Sequence, residues 1–321
     1  MTLTDPRASA SLPPIPPPGA PQRPPSAEPL LLPARRLEPS PGRDRPWRLL
    51  TTLIGTVLVG LVVLALAAAS TATWLSGRGY SDVPAVTALG SPTSLDLTSS
   101  VGTVRVLPSG DVEELTLALV APGSTALPDD SATAQARVTE GSTAHGTTVE
   151  VRQPERSFGP PWTGQTLDVL LLVPTGLELD LTVSAEVGDL LIDGDYAAIE
   201  AHSTVGDLRM ESLTAPGGLS ATTDVGDVDI ELGAPAPESV DITTSVGEVD
   251  LTLPTEAGGQ VEISTDFGNV RVAAPGTARW TVDATSNLGD VSTDPGLSTG
   301  SGSPVGALTV TSELGDIEIT R

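Results

Sequence analysis

TTDVGDVDIEL, residues 222–232, would pass for an ordinary strand, bend and strand if it occurred once. It returns upstream as SAEVGDLLID and HSTVGDLRME, and downstream as TTSVGEVDLTL, STDFGNVRVA, TSNLGDVSTD and TSELGDIEIT. The shared phrase is an apolar residue, Gly, an acid or amide, and a second apolar residue. Its glycines are Gly188, Gly206, Gly226, Gly247, Gly268, Gly289 and Gly315, spaced by 18, 20, 21, 21, 21 and 26 residues. Such a period lies in the range of solenoid repeats.

Position by position, the repeat alternates. Two residues after each glycine stand Leu190, Leu208, Val228, Val249, Val270, Val291 and Ile317, and five before it Val183, Ala201, Ala221, Ile242, Ile263, Ala284 and Val310. The residue directly before each glycine is also apolar: Val187, Val205, Val225, Val246, Phe267, Leu288 and Leu314. Polar residues such as Thr222, Asp224, Asp229 and Glu231 fill the gaps. A period of two is that of a strand with one buried face, so all three apolar sets are expected to point inward. Three before the glycine the residue is small (Ala185, Ser203, Thr223, Thr244, Thr265, Ser286, Ser312), which lets two walls of a thin core approach. Proline and glycine punctuate the joins between units, as in TAPGG, GAPAPES and PTEAGG.

Two architectures fit such a unit. In a β-solenoid the Gly-acid pair is a corner and each coil stacks on the last about 4.8 Å away; in a hairpin array it is a two-residue turn between antiparallel strands. The near-constant period and the matching inward residues favour the solenoid. The expected fold is all-β: a β-solenoid ectodomain of ~21-residue coils at residues 181–321, with looser strands at 90–180 as an N-terminal cap, the first of them carrying the phrase at Gly102. The long last interval, with PGLSTGSGSPVG, reads as a loop bulging from one coil, and Arg321 follows the last coil directly, leaving that coil as the far edge.

The region before the repeats is of another kind. Residues 1–48 hold fourteen prolines and read as a disordered Pro-rich tail, since such a composition buries too little apolar surface to fold. Residues 49–75 read as one transmembrane signal-anchor helix: LIGTVLVGLVVLALAAA is continuously apolar or small, and about 20 residues at ~1.5 Å each cross a hydrocarbon layer of ~30 Å. Seven Arg precede this segment and only Arg78 closely follows it, which predicts a cell-membrane protein with a cytoplasmic N-terminus and an extracytoplasmic C-terminal domain. Residues 76–89 form the linker.

Composition removes several chemistries. No Cys is present, so disulfides, thiolate metal sites and cysteine nucleophiles are absent, and no Lys is present, which excludes Schiff-base chemistry and a P-loop lysine. The formal charge is −25; residues 1–48 contribute +3 (seven Arg, four acids) and the remainder −28 (nine Arg, thirty-seven acids), so the distal part repels nucleic acid.

With VPTGLELDLTVSAEVGDLLIDG in view, residues 90–321 resemble the putative-adhesin β-strand-repeat family of bacterial envelope domains of unknown function. The resemblance implies an extracytoplasmic solenoid-like domain and carries over no catalytic residue.

The candidate sites are few. The repeated acid (Asp189, Asp207, Asp227, Glu248, Asn269, Asp290, Asp316) could line up carboxylates for Ca²⁺, but one ligand per coil and the amide at 269 favour a corner-stabilising role. His145 and His202 are the only imidazoles; Arg209 and Arg271, in equivalent positions, are the nearest approach to a lyase-like basic group. Phe158 and Trp162, between prolines in RQPERSFGPPWTGQ, are the speculative ligand or partner contacts. No catalytic, cofactor or metal residue is assigned. The expected function is a non-enzymatic single-pass envelope protein presenting an acidic surface for adhesion, binding or structure, with a cell-wall, glycan or surface-protein ligand. The alternative is an envelope sensing or signalling component acting through the tail, whose LPPIPPPGAPQRPP suits a cytosolic proline-recognising partner.

Overall fold

The computed structural model describes residues 54–56, 58–59, 79–129, 131–142, 146–154, 166–299 and 302–321. Residues 54–56 and 58–59 are helical; the rest of the expected span, the Pro-rich tail, and the loop bearing Phe158 and Trp162 lie outside the described residues. Among the described residues no helix is long and apolar enough to cross a membrane.

The chain begins its strands with β1 (Ser81–Pro84) and β2 (Val86–Gly90), then makes a coil from β3 (Ser94–Val101) and β4 (Val104–Ser109). It continues through β5 (Leu115–Val120) and β6 (Thr133–Ser142) into a second coil, β7 (Thr147–Arg152) and β8 (Asp168–Pro174). Five coils follow in strict alternation: β9 (Asp180–Val187) with β10 (Leu190–Asp195), β11 (Ala198–Val205) with β12 (Leu208–Thr214), β13 (Leu219–Val225) with β14 (Val228–Leu232), β15 (Ser239–Val246) with β16 (Val249–Thr252), and β17 (Gly259–Phe267) with β18 (Val270–Ala273). The last two are β19 (Trp280–Leu288) with β20 (Val291–Thr293) and, after a one-turn helix α1 (Pro295–Ser298), β21 (Gly306–Leu314) with β22 (Ile317–Thr320).

Each coil gives one strand to each of two eleven-stranded sheets. Neighbouring coils pair in parallel and in register: Val183, Ala201, Ala221, Ile242, Ile263, Val310 and Ala284 form one continuous rank across the first sheet. Parallel pairing excludes the hairpin array. The ranks five before and two after the corner are buried, at 3% exposure or less, in every coil of the repeat except the edge coil. Together they make one continuous core of slim aliphatic side chains.

The third rank departs from the sequence expectation. Val187, Val205, Val225, Val246, Phe267, Leu288 and Leu314, expected inward, are 46–69% exposed. The reason lies at the small residue two positions earlier. Ser203, Thr223 and Ser312 are buried at the inside of the corner, and their hydroxyls reach the carbonyls of Gly188, Gly206 and Gly268 at 3.5, 3.4 and 3.3 Å. They are the last residues to face in. The backbone then bends toward the corner, so the two residues that follow both leave the core and the alternation ends.

Layer order is the second departure. The sheets run β17-β21-β19 and β18-β22-β20, so the C-terminal coil is inserted beneath the coil that precedes it in sequence. Between β20 and β21 the chain therefore steps back one layer. The far edge is β19–β20, whose Val291 and Leu288 are exposed; Leu297 of α1 is fully buried, and the Asp294 carboxylate caps that turn by accepting from Gly296 N at 2.7 Å. The other end uses the same device. There β7–β8 lies outside β3–β4, and β9–β10 returns to the inner side. Beyond β7–β8 the pairing turns antiparallel, with β6 and β1 closing the first sheet and β5 and β2 the second.

The β7–β8 coil has no Gly-acid corner, and a buried side chain substitutes for it. In every other coil but the edge coil the corner glycine donates its N–H to the neighbouring strand, as Gly102 does to Val187 O and Gly188 to Val205 O. Here the Gln153 carboxamide donates to Val101 O at 3.1 Å and to Leu167 O at 2.7 Å, and accepts from Leu167 N at 2.9 Å. A side-chain amide thus does the work of a corner peptide.

The corner glycines admit no side chain. At Gly226 (φ 153°) a Cβ would lie 2.1 Å from the carbonyl oxygen of Gly206 in the next coil, and at Gly268 (φ 157°) one would lie 1.8 Å from that of Gly247. Gly226→Ala should therefore cost about 3 kcal/mol in urea unfolding, whereas Gly110→Ala, where a Cβ meets nothing within 4 Å, should stay within about 0.5 kcal/mol.

Candidate functional site

The corner is where the seven coils from β9–β10 onward repeat one polar chemistry, and the hydrogen bonds there show what the repeated acid does. Asp189 Oδ1 accepts the backbone N–H of Asp207 at 3.1 Å, Asp207 Oδ1 that of Asp227 at 3.0 Å, and Asp227 Oδ1 that of Glu248 at 2.8 Å. Past Glu248, which accepts from the Asn269 side-chain amide at 3.2 Å, the ladder resumes: Asn269 Oδ1 takes Asp316 N at 2.9 Å and Asp316 Oδ1 takes Asp290 N at 2.8 Å. Asp189, Asp207, Asp227, Asn269 and Asp316 therefore each satisfy a main-chain donor that the bend has freed. A charge-assisted hydrogen bond contributes about 1.5–3 kcal/mol, while carboxylates ~5 Å apart repel by about 1 kcal/mol in a water-like dielectric, so the bond wins. Among the described residues no group of three or more acids and histidines is placed to hold a metal ion.

The other sequence candidates do not converge. His202 is half-buried in an outward rank between Ser184 and Thr222. Arg209 pairs with Asp229 at 3.4 Å and Arg271 with Glu248 at 3.0 Å, and the two guanidinium groups stand on β12 and β18, with β14 and β16 between them. His145, Phe158 and Trp162 lie outside the described residues.

Three features escaped sequence reasoning. Arg105 and Asp168 form an ion pair of 2.9 Å between β4 and β8, and Asp168 also accepts Gly123 N at 2.8 Å, tying the β5–β6 loop to the stack. Tyr196 is buried where β10 turns into β11, and its hydroxyl donates to Asp193 O at 2.7 Å. Burial, helped by the Asp193 and Asp195 carboxylates, pushes its phenol above the usual tyrosine range. The third is the exposed apolar rank at the corner. The signal for it was present, since the residue between it and the small inward residue is Glu186, Asp224, Asp266 or Glu313 in four of the seven units.

The fold and the corner together define the class: a two-sheet parallel β-solenoid whose coils are joined through stacked Gly-acid corners. Residues 178–320 match the family described as Toastrack DUF4097, a domain of unknown function. Two solved structures are similar to the chain. One, described as a putative adhesin from Bacteroides fragilis, is 16% identical with a TM-score of 0.44, covering 74% of this chain and 97% of its own. The other, described as a putative cell adhesion protein from Clostridium sporogenes, is 13% identical with a TM-score of 0.33, covering 75% and 99%. No curated protein sequence matches the chain.

If the acid is a spacer, only its acceptor matters. Asp227→Ala should lower stability by about 1–2 kcal/mol, and Asp227→Asn, which keeps the acceptor as Asn269 does naturally, should stay within about 0.5 kcal/mol in the same unfolding assay.

Proposed function

We propose that the chain is a non-enzymatic single-pass envelope protein that presents an acidic β-solenoid outside the cell as a binding surface. The observation that carries the reading is the outer face of the stack: parallel coils in register bring equivalent outward positions together at every layer, as in the rank Ser184, His202, Thr222, Thr243 and Ser264, so hydroxyl contacts made at one coil are offered again at most of the next. Such a surface suits extended or repeating ligands, including wall polymers, glycans and surface proteins. The apolar segment at 49–75 and the seven Arg before it support anchoring with the solenoid outside, and the charge of −28 on the remainder supports avoidance of nucleic acid.

The test is made on cells bearing the full-length chain. Protease added to intact cells should remove residues 79–321 and leave the N-terminal tail protected, and those cells should retain purified wall material or partner cells that chain-free cells do not. Protection of the solenoid from protease would overturn the topology. Equal retention by chain-free cells, together with recovery of a cytosolic partner dependent on LPPIPPPGAPQRPP, would replace binding with signalling.

A further inference from the structure

The exposed apolar rank is continuous. Val101, Val187, Val205, Val225, Val246, Phe267, Leu314 and Leu288 are cross-strand partners in unbroken succession along the first sheet, Val101 half-buried at one end and the other seven exposed. Eight layers at about 4.8 Å make a rail roughly 34 Å long, running across the strands. Carboxylates flank it on both sides. Glu186, Asp224, Asp266 and Glu313 directly precede rail residues, and the Asp189-to-Asp290 ladder lies just past the glycines. The ladder spends one oxygen each of Asp189, Asp207, Asp227 and Asp316 on the neighbouring main chain, and these four and Asp290 remain exposed. Among the described residues the only ion pair to either column is Arg271 with Glu248.

We propose that this rail is the docking surface for a cationic amphipathic helix, an apolar stripe flanked by Lys or Arg. The proposal deepens the binding reading above and rests on it. Charge decides the sign of the partner: two copies of this chain would bring the same acidic columns together, and an anionic lipid surface would meet them with like charge. Spacing decides its form. An element lying along the rail meets an apolar side chain every ~4.8 Å; a helix offers one every 4.5–6 Å through its i, i+3 and i+4 positions, whereas one face of a strand repeats every ~6.6 Å. At 1.5 Å per residue, about 22 helical residues cover the whole rail. The rail is also no sheet edge, which removes strand addition as the mode.

The experiment uses the full-length chain in zwitterionic phosphatidylcholine nanodiscs and a labelled synthetic 22-residue peptide with a Leu stripe flanked by Lys. Empty nanodiscs, a scrambled peptide and a Lys→Glu peptide serve as controls. Binding by fluorescence anisotropy should saturate, weaken with salt, and fall about tenfold or more in the combined variant Val225→Thr, Val246→Thr, Phe267→Thr, which keeps β-branched residues in the strands and should keep the melting temperature. Asp224→Asn with Asp266→Asn should flatten the salt dependence. Equal binding of the scrambled peptide, or no loss in the Thr variant, would overturn the proposal. So would a dimer in sedimentation that the Thr variant abolishes, since a second copy would then cover the rail. Failure of the peptide while cells still retain wall material would sink the rail alone and leave the surface reading standing.

Discussion

The structure depends on how closely two backbones can pass at a corner. Stacked coils lie one strand spacing apart along both sheets, and the corner must keep that spacing while the chain changes sheets. It does so by setting the carbonyl of one glycine where the Cβ of the next would be, 1.8 to 2.3 Å from that point between Gly188 and Gly315. Everything else follows. The bend frees main-chain N–H groups, five of which are accepted by the acid or amide side chain of the neighbouring coil; it closes the inside of the corner on a residue no larger than Thr; and it turns the next apolar residue outward. Glycine, acid, small residue and exposed aliphatic are four consequences of one close approach.

Much of this was legible in the sequence. The two-residue alternation fixed which residues of β9 to β18 face the core, and the constant spacing of the glycines chose stacked coils over hairpins. Asn269 among the acids pointed to an acceptor rather than a cation ligand, and the ladder uses its oxygen in that way. Alternation misled where it was extended one step too far. Val225 satisfies the parity of Ala221 and Thr223, yet a rule for straight strands has no term for a bend, and the residue ends outside.

Layer order was hidden for a different reason. A repeat reports what each coil is, and coils of equivalent face chemistry can stack in any sequence. The 26-residue last interval did record something unusual, and its length is what a return past one layer requires. The reversal has a physical benefit at each end. It leaves one coil at the far end to carry the open edge, partly covered by Leu297, while the terminal strands β21 and β22 are paired on both sides and held by two neighbours. At the near end β3–β4 is likewise enclosed, and the edge is handed to antiparallel strands. Gln153 was unreadable for a related reason, because Val101 comes from the neighbouring layer and Leu167 lies fourteen residues on, just before the second strand of its own coil.

Because the chain has no cysteine, stacking and layer order can be tested together by paired substitution and mild oxidation. Ser264 and Thr311 are direct cross-strand partners, whereas Ser264 and Thr285 are separated by a full layer. A disulfide needs Cα atoms about 4.4–6.8 Å apart. Ser264→Cys with Thr311→Cys should therefore cross-link readily and Ser264→Cys with Thr285→Cys should not; the opposite outcome would mean that the coils stack in simple sequence order, and no bond in either pair would contradict parallel in-register stacking itself.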